Sequence, residues 1–134
     1  MSNQITLILF PWRLAVCKLP LHAALELPEQ PNELWAYLAT SEERTLVCPE
    51  NVVAQHLPPQ TAVESGWRAI RVAGNLDFGL VGILASIAEP LAGAGVSIYS
   101  LSTYDTDYVL VKEFDLERAL DALGAAGFPI IRRS

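Results

Sequence analysis

The chain has 134 residues, 51% hydrophobic and 18% charged, with a formal net charge of −6. That share of apolar residues buries a real core and excludes intrinsic disorder. The acidic balance, without any cluster of Lys and Arg, argues against nucleic acid as a partner, and Arg132 and Arg133 read as a solvated tail.

The apolar stretch at residues 5–10 has no basic run ahead of it and stops at Pro11, which does not fit a secretory signal. The longest apolar run, residues 78–88, is too short to span a bilayer and carries glycines. A cytoplasmic protein with no membrane partner is expected. Residues 13–19 read as a strand whose nearly continuous apolar run suits burial on both faces. Pro20, Pro28 and Pro31 then rule out a long helix and leave room for one short turn around residues 21–25. Residues 34–40 make a second strand with Trp35 and Tyr37 on one face. A polar turn at residues 41–43 returns the chain into a third strand at residues 45–48, so the pair forms a hairpin. Asn51 is placed to cap a short helix carrying Val52, Val53 and Leu57, stopped by Pro58 and Pro59. Residues 59–65 read as a linker. Cys17 and Cys48 fall in strand-like runs without C-x-x-C spacing, and the two histidines lack ligand spacing. Buried thiols in a reducing compartment are expected, with no metal and no cofactor.

Residues 67–72 alternate as a strand and residues 73–77 form a loop. Leu80, Leu84, Ile87 and Leu91 recur at steps of four, three and four, the stripe of a helix over residues 78–94. Pro90 should bend it, and Gly95 should end it with a left-handed cap. Residues 96–101 and 107–111 are strands on either side of a turn at residues 103–106. Asp115 is placed to cap a last helix that turns Leu116, Ala119, Leu120 and Leu123 inward. Gly127 ends that helix, and residues 128–131 close as a strand. The order β-α-β-β-α-β is the split arrangement of ferredoxin-like folds. Right-handed crossovers put both helices on one face of a four-stranded antiparallel sheet. The first half repeats the order with its first helix nearly deleted, a weak internal duplication. The expected fold class is α+β: two ferredoxin-like halves, residues 1–64 and 65–134, each an antiparallel sheet with helices on one face.

No nucleophile stands next to a base, and no G-x-S-x-G, P-loop or dinucleotide-binding glycine pattern occurs, so no enzyme is expected. Two places suit a ligand. Residues 74–82 join a strand end to a helix start, where the first backbone N–H groups lack partners and carry the positive end of the helix dipole; a carboxylate is attracted there. Gly79 lets a ligand approach the backbone, and Asp77 can face an ammonium. The same residues also read structurally, with Asp77 capping the N–H of Leu80 and with Gly79 and Gly82 permitting close helix packing. The second place is the hairpin connection. A plain turn accounts for Asp105. It accounts less well for Asp107, which apolar strand residues follow at once. With the turn carbonyls these carboxylates make a negative wall suited to a cationic or amide side chain. Acid–base catalysis by the pair lacks a second element to shift its pKa values. Trp12, Trp35, Trp67, Tyr99 and Tyr104 read as core or subunit-contact aromatics.

Residues 74–91, the step Ala94-Gly95-Val96-Ser97-Ile98 and the segment Ser102-Thr103-Tyr104-Asp105-Thr106-Asp107-Tyr108 resemble the ACT domains of small two-domain bacterial proteins. They are also similar to the ACT domains of the cytosolic arginine sensors of animals and, more distantly, of aspartokinase regulatory regions. Residues 14–20 and 46–50 are similar to the N-terminal part of the same small proteins. The resemblance implies a free amino acid or a close relative as ligand. Its α-carboxylate would meet the N–H groups of Gly79, Leu80 and Val81, and its ammonium Asp77 or nearby carbonyls, with Asn75, Leu76 and Phe78 completing the loop. Its side chain would meet the carbonyls of Thr103, Tyr104 and Thr106 and the carboxylate of Asp107. In such proteins the two elements belong to different ACT domains, so the site lies at an interface. The first half has no Asp-x-x-Gly loop, so a second copy of the chain is needed. The expectation is a homodimeric, non-catalytic regulatory sensor acting on a separate regulated protein. The alternative is a structural protein–protein interaction module that kept the fold and lost the ligand; an enzyme using Asp77 and Asp107 is the third reading.

Overall fold

The computed structural model describes residues 5–73 and 82–134. In chain order the elements are β1 (Leu7–Leu9), β2 (Leu14–Leu19), β3 (Ala36–Ala39), β4 (Arg44–Pro49), a 3-10 turn (Glu50–Val52), α1 (Val53–His56), β5 (Ala62–Val72), α2 (Ile83–Gly93), β6 (Ile98–Ser102), β7 (Asp107–Lys112), a second 3-10 turn (Glu113–Asp115), α3 (Leu116–Ala125) and β8 (Ile130–Arg132). The α+β class with strands covered by helices is as the pattern predicted. The chain divides into two compact units, Trp12–Trp67 and the combination of Met1–Pro11 with Arg68–Ser134. Among the described residues no helix is long and apolar enough to cross a membrane.

The unit containing Arg68–Ser134 has the β-α-β-β-α-β order, with one strand added. The β6–β7 pair is antiparallel from Ile98↔Val111 to Ser102↔Asp107, and β7 pairs β5. β1 enters between β5 and β8, antiparallel to the first (Leu7↔Val72) and parallel to the second (Leu7↔Ile130). The sheet is therefore five strands, β6-β7-β5-β1-β8, where four were expected. A strand of three residues, all buried, has no alternation to betray it.

On one face of this sheet, α2 supplies Ile87 and Leu91 and α3 supplies Leu116, Ala119, Leu120 and Leu123; they pack on Leu7, Leu9, Ile70, Val72, Val109 and Val111. Spacings of three and four give each helix a single apolar stripe. Both helices end alike. Gly95 and Gly127 hold φ of +74° and +95°, and the next N–H reaches back five residues, Val96 to the Leu91 carbonyl at 2.9 Å and Phe128 to that of Leu123 at 3.1 Å. This is the glycine-terminated helix end with its apolar contact across the cap. Two details differ from expectation and one agrees. Gly82, with a left-handed φ of +81°, precedes Ile83 as the N-cap residue, so α2 does not run back through it towards residue 78. Asp115 makes no side-chain bond to the start of α3 and instead pairs with Arg118. Pro90 lies inside α2, as expected.

In the Trp12–Trp67 unit the strand order is β3-β4-β2 followed by the first part of β5, antiparallel throughout. Residues 62–65 belong to β5, so the expected linker is shorter than residues 59–65. The β2–β5 register shifts between Leu14 and Val16, and Gly66 in β5 takes a φ of +82°. Its N–H donates to Glu50 Oε2 at 2.9 Å. A kinked strand with exposed residues at its start has no clean period of two, which hid it. Asn51 caps nothing: it lies within the 3-10 turn, and neither that turn nor α1 has a side-chain cap. Residues 20–31 form no helix, as the prolines require. The core is small: Ala15, Cys17, Leu19, Leu46 and Cys48 are buried, with Leu25, Trp35, Val52, Val53 and Leu57 only partly so. The two thiols are free and buried, as expected. Their mutual hydrogen bond and burial push Cys48 well above the ordinary thiol range.

Candidate functional site

The turn joining β6 to β7 is closed by its own side chains. The Thr103 N–H donates to the Thr106 carbonyl at 2.8 Å, and the Thr103 hydroxyl donates to the same oxygen at 3.2 Å. In return the Thr106 N–H donates to Thr103 Oγ1 at 3.1 Å. Both lone pairs of the Thr106 carbonyl are thus engaged inside the turn. Tyr104, at the tip, is 81% exposed.

Asp107 sits on the first position of β7, directly opposite Ser102, and its Oδ1 accepts the Ser102 hydroxyl at 2.6 Å. The hydroxyl orients the half-buried carboxylate as an acceptor fixed on a strand rather than on a loop. Thr106 reaches further. Its hydroxyl donates to the Val72 carbonyl at 2.6 Å. Val72 is the last residue of β5, and Ala73 after it is anchored by its N–H on the Thr6 carbonyl at 2.9 Å. The turn is therefore tied to the strand end that leads into residue 74. On the other side, the Ser86 N–H donates to the Gly82 carbonyl at 2.8 Å, the first bond of α2. The N–H groups of Ile83, Leu84 and Ala85 head that helix, ahead of any such bond.

Of the residues singled out from the sequence, Thr103, Tyr104, Thr106 and Asp107 come together in one turn and strand start. Asn75, Leu76, Asp77, Phe78, Gly79, Leu80 and Val81 lie outside the described residues. Ser102 belongs to this arrangement although its residue type alone does not single it out. Its signal was available in the hairpin pairing, which places it across from Asp107. The tie from Thr106 to Val72 joins residues 34 apart and had no local signal. Among the described residues, no group of three His, Cys, Asp or Glu could hold a metal ion.

The family model of the ACT domain matches residues 62–125. This part of the chain is an ACT domain. Its turn and strand geometry is that of β5, α2, β6, β7 and α3 above. Over 58 residues, 42% of its length, the chain is 43% identical to cytosolic arginine sensor for mTORC1 subunit 1 of Rattus norvegicus, a stretch that spans 18% of that relative. The human counterpart is 41% identical over a stretch of the same length. Among solved structures, protein Atu0741 from Agobacterium tumefaciens matches with a TM-score of 0.85 and 26% identity, over 99% of this chain and 96% of that one. The likeness thus covers the Trp12–Trp67 unit as well as the ACT domain. The regulatory subunit of aspartate kinase from Thermus thermophilus shares the fold at a TM-score of 0.62 and 11% identity, over 92% of this chain and 99% of that one.

Proposed function

We propose that this chain is a non-catalytic cytoplasmic sensor that binds a free amino acid and transmits binding to a separate protein as a change of conformation or association. One observation carries the reading: the 2.6 Å bond from Thr106 to the Val72 carbonyl, which places the turn bearing Asp107 beside the chain entering residues 74–81, inside an ACT domain. Similarity to proteins named for arginine sensing and for regulation of aspartate kinase supports an amino acid as the ligand class.

In the proposed site the N–H groups of Gly79, Leu80 and Val81 take the α-carboxylate and Asp77 takes the ammonium, with Asn75, Leu76 and Phe78 shaping the loop. Thr103, Tyr104, Thr106 and Asp107 of a second copy receive the ligand side chain. A twofold pairing requires each copy to carry both halves of the site on one edge, so that each turn meets the other copy's loop. The Thr106–Val72 bond supports that requirement, since it ties the turn to the end of β5, the strand that precedes residue 74. Asp107, a carboxylate on a rigid strand, favours a cationic or amide side chain.

The test is thermal, run on the intact chain with each of the twenty amino acids. A ligand at about one hundred times its Kd adds about 2.7 kcal/mol, a rise in Tm of a few degrees at this size. Asp107→Ala should remove the rise, and the ligand should be recovered chemically unchanged. A flat response to all twenty would sink the sensor and leave the interaction module.

A further inference from the structure

The Trp12–Trp67 unit contains an open cavity of about 480 Å³, walled by Leu25, Leu27, Trp35, Val52 and Leu57. It lies where the prolines at 20, 28 and 31 keep the chain out of a helix, so no row of helical side chains fills the space over the strands. The walls remain accordingly wet: Leu27 is 49% exposed, and Trp35 and Leu57 are only half-buried. The volume falls in the range of small-molecule pockets, which are mostly apolar with a few polar groups that fix orientation. Here those groups are the exposed Glu26 and His56.

The charge around the cavity selects the ligand. The segment of residues 20–34 carries Glu26, Glu29 and Glu33 and no Lys or Arg. Across residues 12–67 the bases are Arg13, Lys18 and Arg44, against acids at 26, 29, 33, 42, 43, 50 and 64. A carboxylate would enter against this field with no Lys or Arg among the lining residues to receive it, whereas an ammonium is drawn in. We propose that the cavity binds a small apolar amine, its aromatic or branched body against Trp35 and the leucines and its ammonium towards Glu26. The His56 ring supplies a second polar group in the wall. The site shares no lining residue with the ACT domain of residues 62–125, and it selects against the zwitterion proposed there.

The test follows the Trp35 indole N–H by NMR, assigned with Trp35→Phe, while the intact protein is titrated with 2-phenylethylamine, 2-phenylethanol and phenylalanine. The amine should shift that signal saturably, and phenylalanine should bind about tenfold more weakly because its carboxylate has no partner in the cavity. Glu26→Gln should weaken the amine about two- to fivefold, the size of an exposed ion pair, and leave the alcohol unchanged. Ala24→Phe, at an exposed position in the wall, should block both by filling the mouth. No saturable shift with the amine, equal binding of phenylalanine, or amine binding that survives Ala24→Phe would overturn the proposal. Binding at the ACT domain is read elsewhere, on β6 and β7, and Asp107→Ala should leave the Trp35 titration as it was, so the two proposals fail separately.

Discussion

The two units pair strands of similar kind and differ in what covers them. In the unit containing Arg68–Ser134, helices of 11 and 10 residues lay their apolar stripes on one sheet face, and Leu91 and Leu123 reach zero exposure. In the Trp12–Trp67 unit the cover is a four-residue helix and a proline-bearing loop, and its apolar residues stop half-way to burial. A sheet can therefore keep its pairing with a short helix and an irregular loop where its companion has two long helices. What is given up is the close-packed second layer, and with it the bulk of the burial energy.

The sharpest way to break this comparison is a matched pair of truncations. Leu91→Ala empties a closed core and should cost about 2–5 kcal/mol. Leu57→Ala removes a side chain that is already half in water and should cost about 1 kcal/mol. Denaturant unfolding gives the total, and amide exchange assigns each loss to its own unit. Equal losses would mean that the Trp12–Trp67 unit is packed as tightly as its companion, and the contrast would fall.

The next effect compares one glycine from each unit. Gly66 and Gly82 hold φ of +82° and +81°, and an added Cβ at either meets nothing within 4 Å. Space is not the obstacle, so Gly66→Ala and Gly82→Ala should each cost about 1–2 kcal/mol from backbone conformation alone. A much smaller loss at Gly82 would show that the start of α2 relaxes to another conformation, whereas Gly66 is held inside a paired strand.

How much could be read beforehand follows the same division. The stripe of Leu84, Ile87 and Leu91 and the glycines at 95 and 127 announced both long helices, because amphipathic periodicity and a left-handed cap are local signals. Leu80 extended that stripe in the sequence, but Gly82 takes a φ closed to helix, and a pattern of apolar residues carries no information about φ. β1 and the start of β5 escaped notice because neither alternates: Leu7, Ile8 and Leu9 are all buried, and Ala62, Val63 and Glu64 are all exposed. At the candidate site Asp107 stood out as a carboxylate heading an apolar strand. Its partner Ser102 needed the hairpin register, and the Thr106 tie to Val72 needed the whole fold, since nothing near Thr106 in sequence points to β5.

Thr106→Val sharpens the functional side of the comparison. The substitution keeps the branched shape and removes the hydroxyl that donates to the Val72 carbonyl. A net loss of about 1 kcal/mol is expected, typical of one intramolecular hydrogen bond. Its larger consequence should be on ligand response, because the turn is no longer held against the strand that enters residues 74–81. An unchanged thermal response to the amino acid, with the stability loss present, would show that the tie serves folding alone.

The smallest effect belongs to Glu33 and has a sign that can be checked. Burial pushes its carboxyl above the ordinary Glu value. A carboxyl whose folded pKa is raised contributes stability that is complete below the unfolded pKa and is lost as pH rises through the folded one. Wild type should therefore gain on Glu33→Gln as the pH drops from about 7 to about 4, the window around a slightly raised Glu. Near neutral pH the charged side chain should leave wild type a few tenths of a kcal/mol behind the variant, no more, since the group is still well solvated. Amide exchange should place that difference in the Trp12–Trp67 unit, where Glu33 is part-buried in a segment, residues 20–34, without Lys or Arg. A wild type more stable than Glu33→Gln at pH 7 would mean that a cation holds this carboxylate and that burial does not govern its pKa.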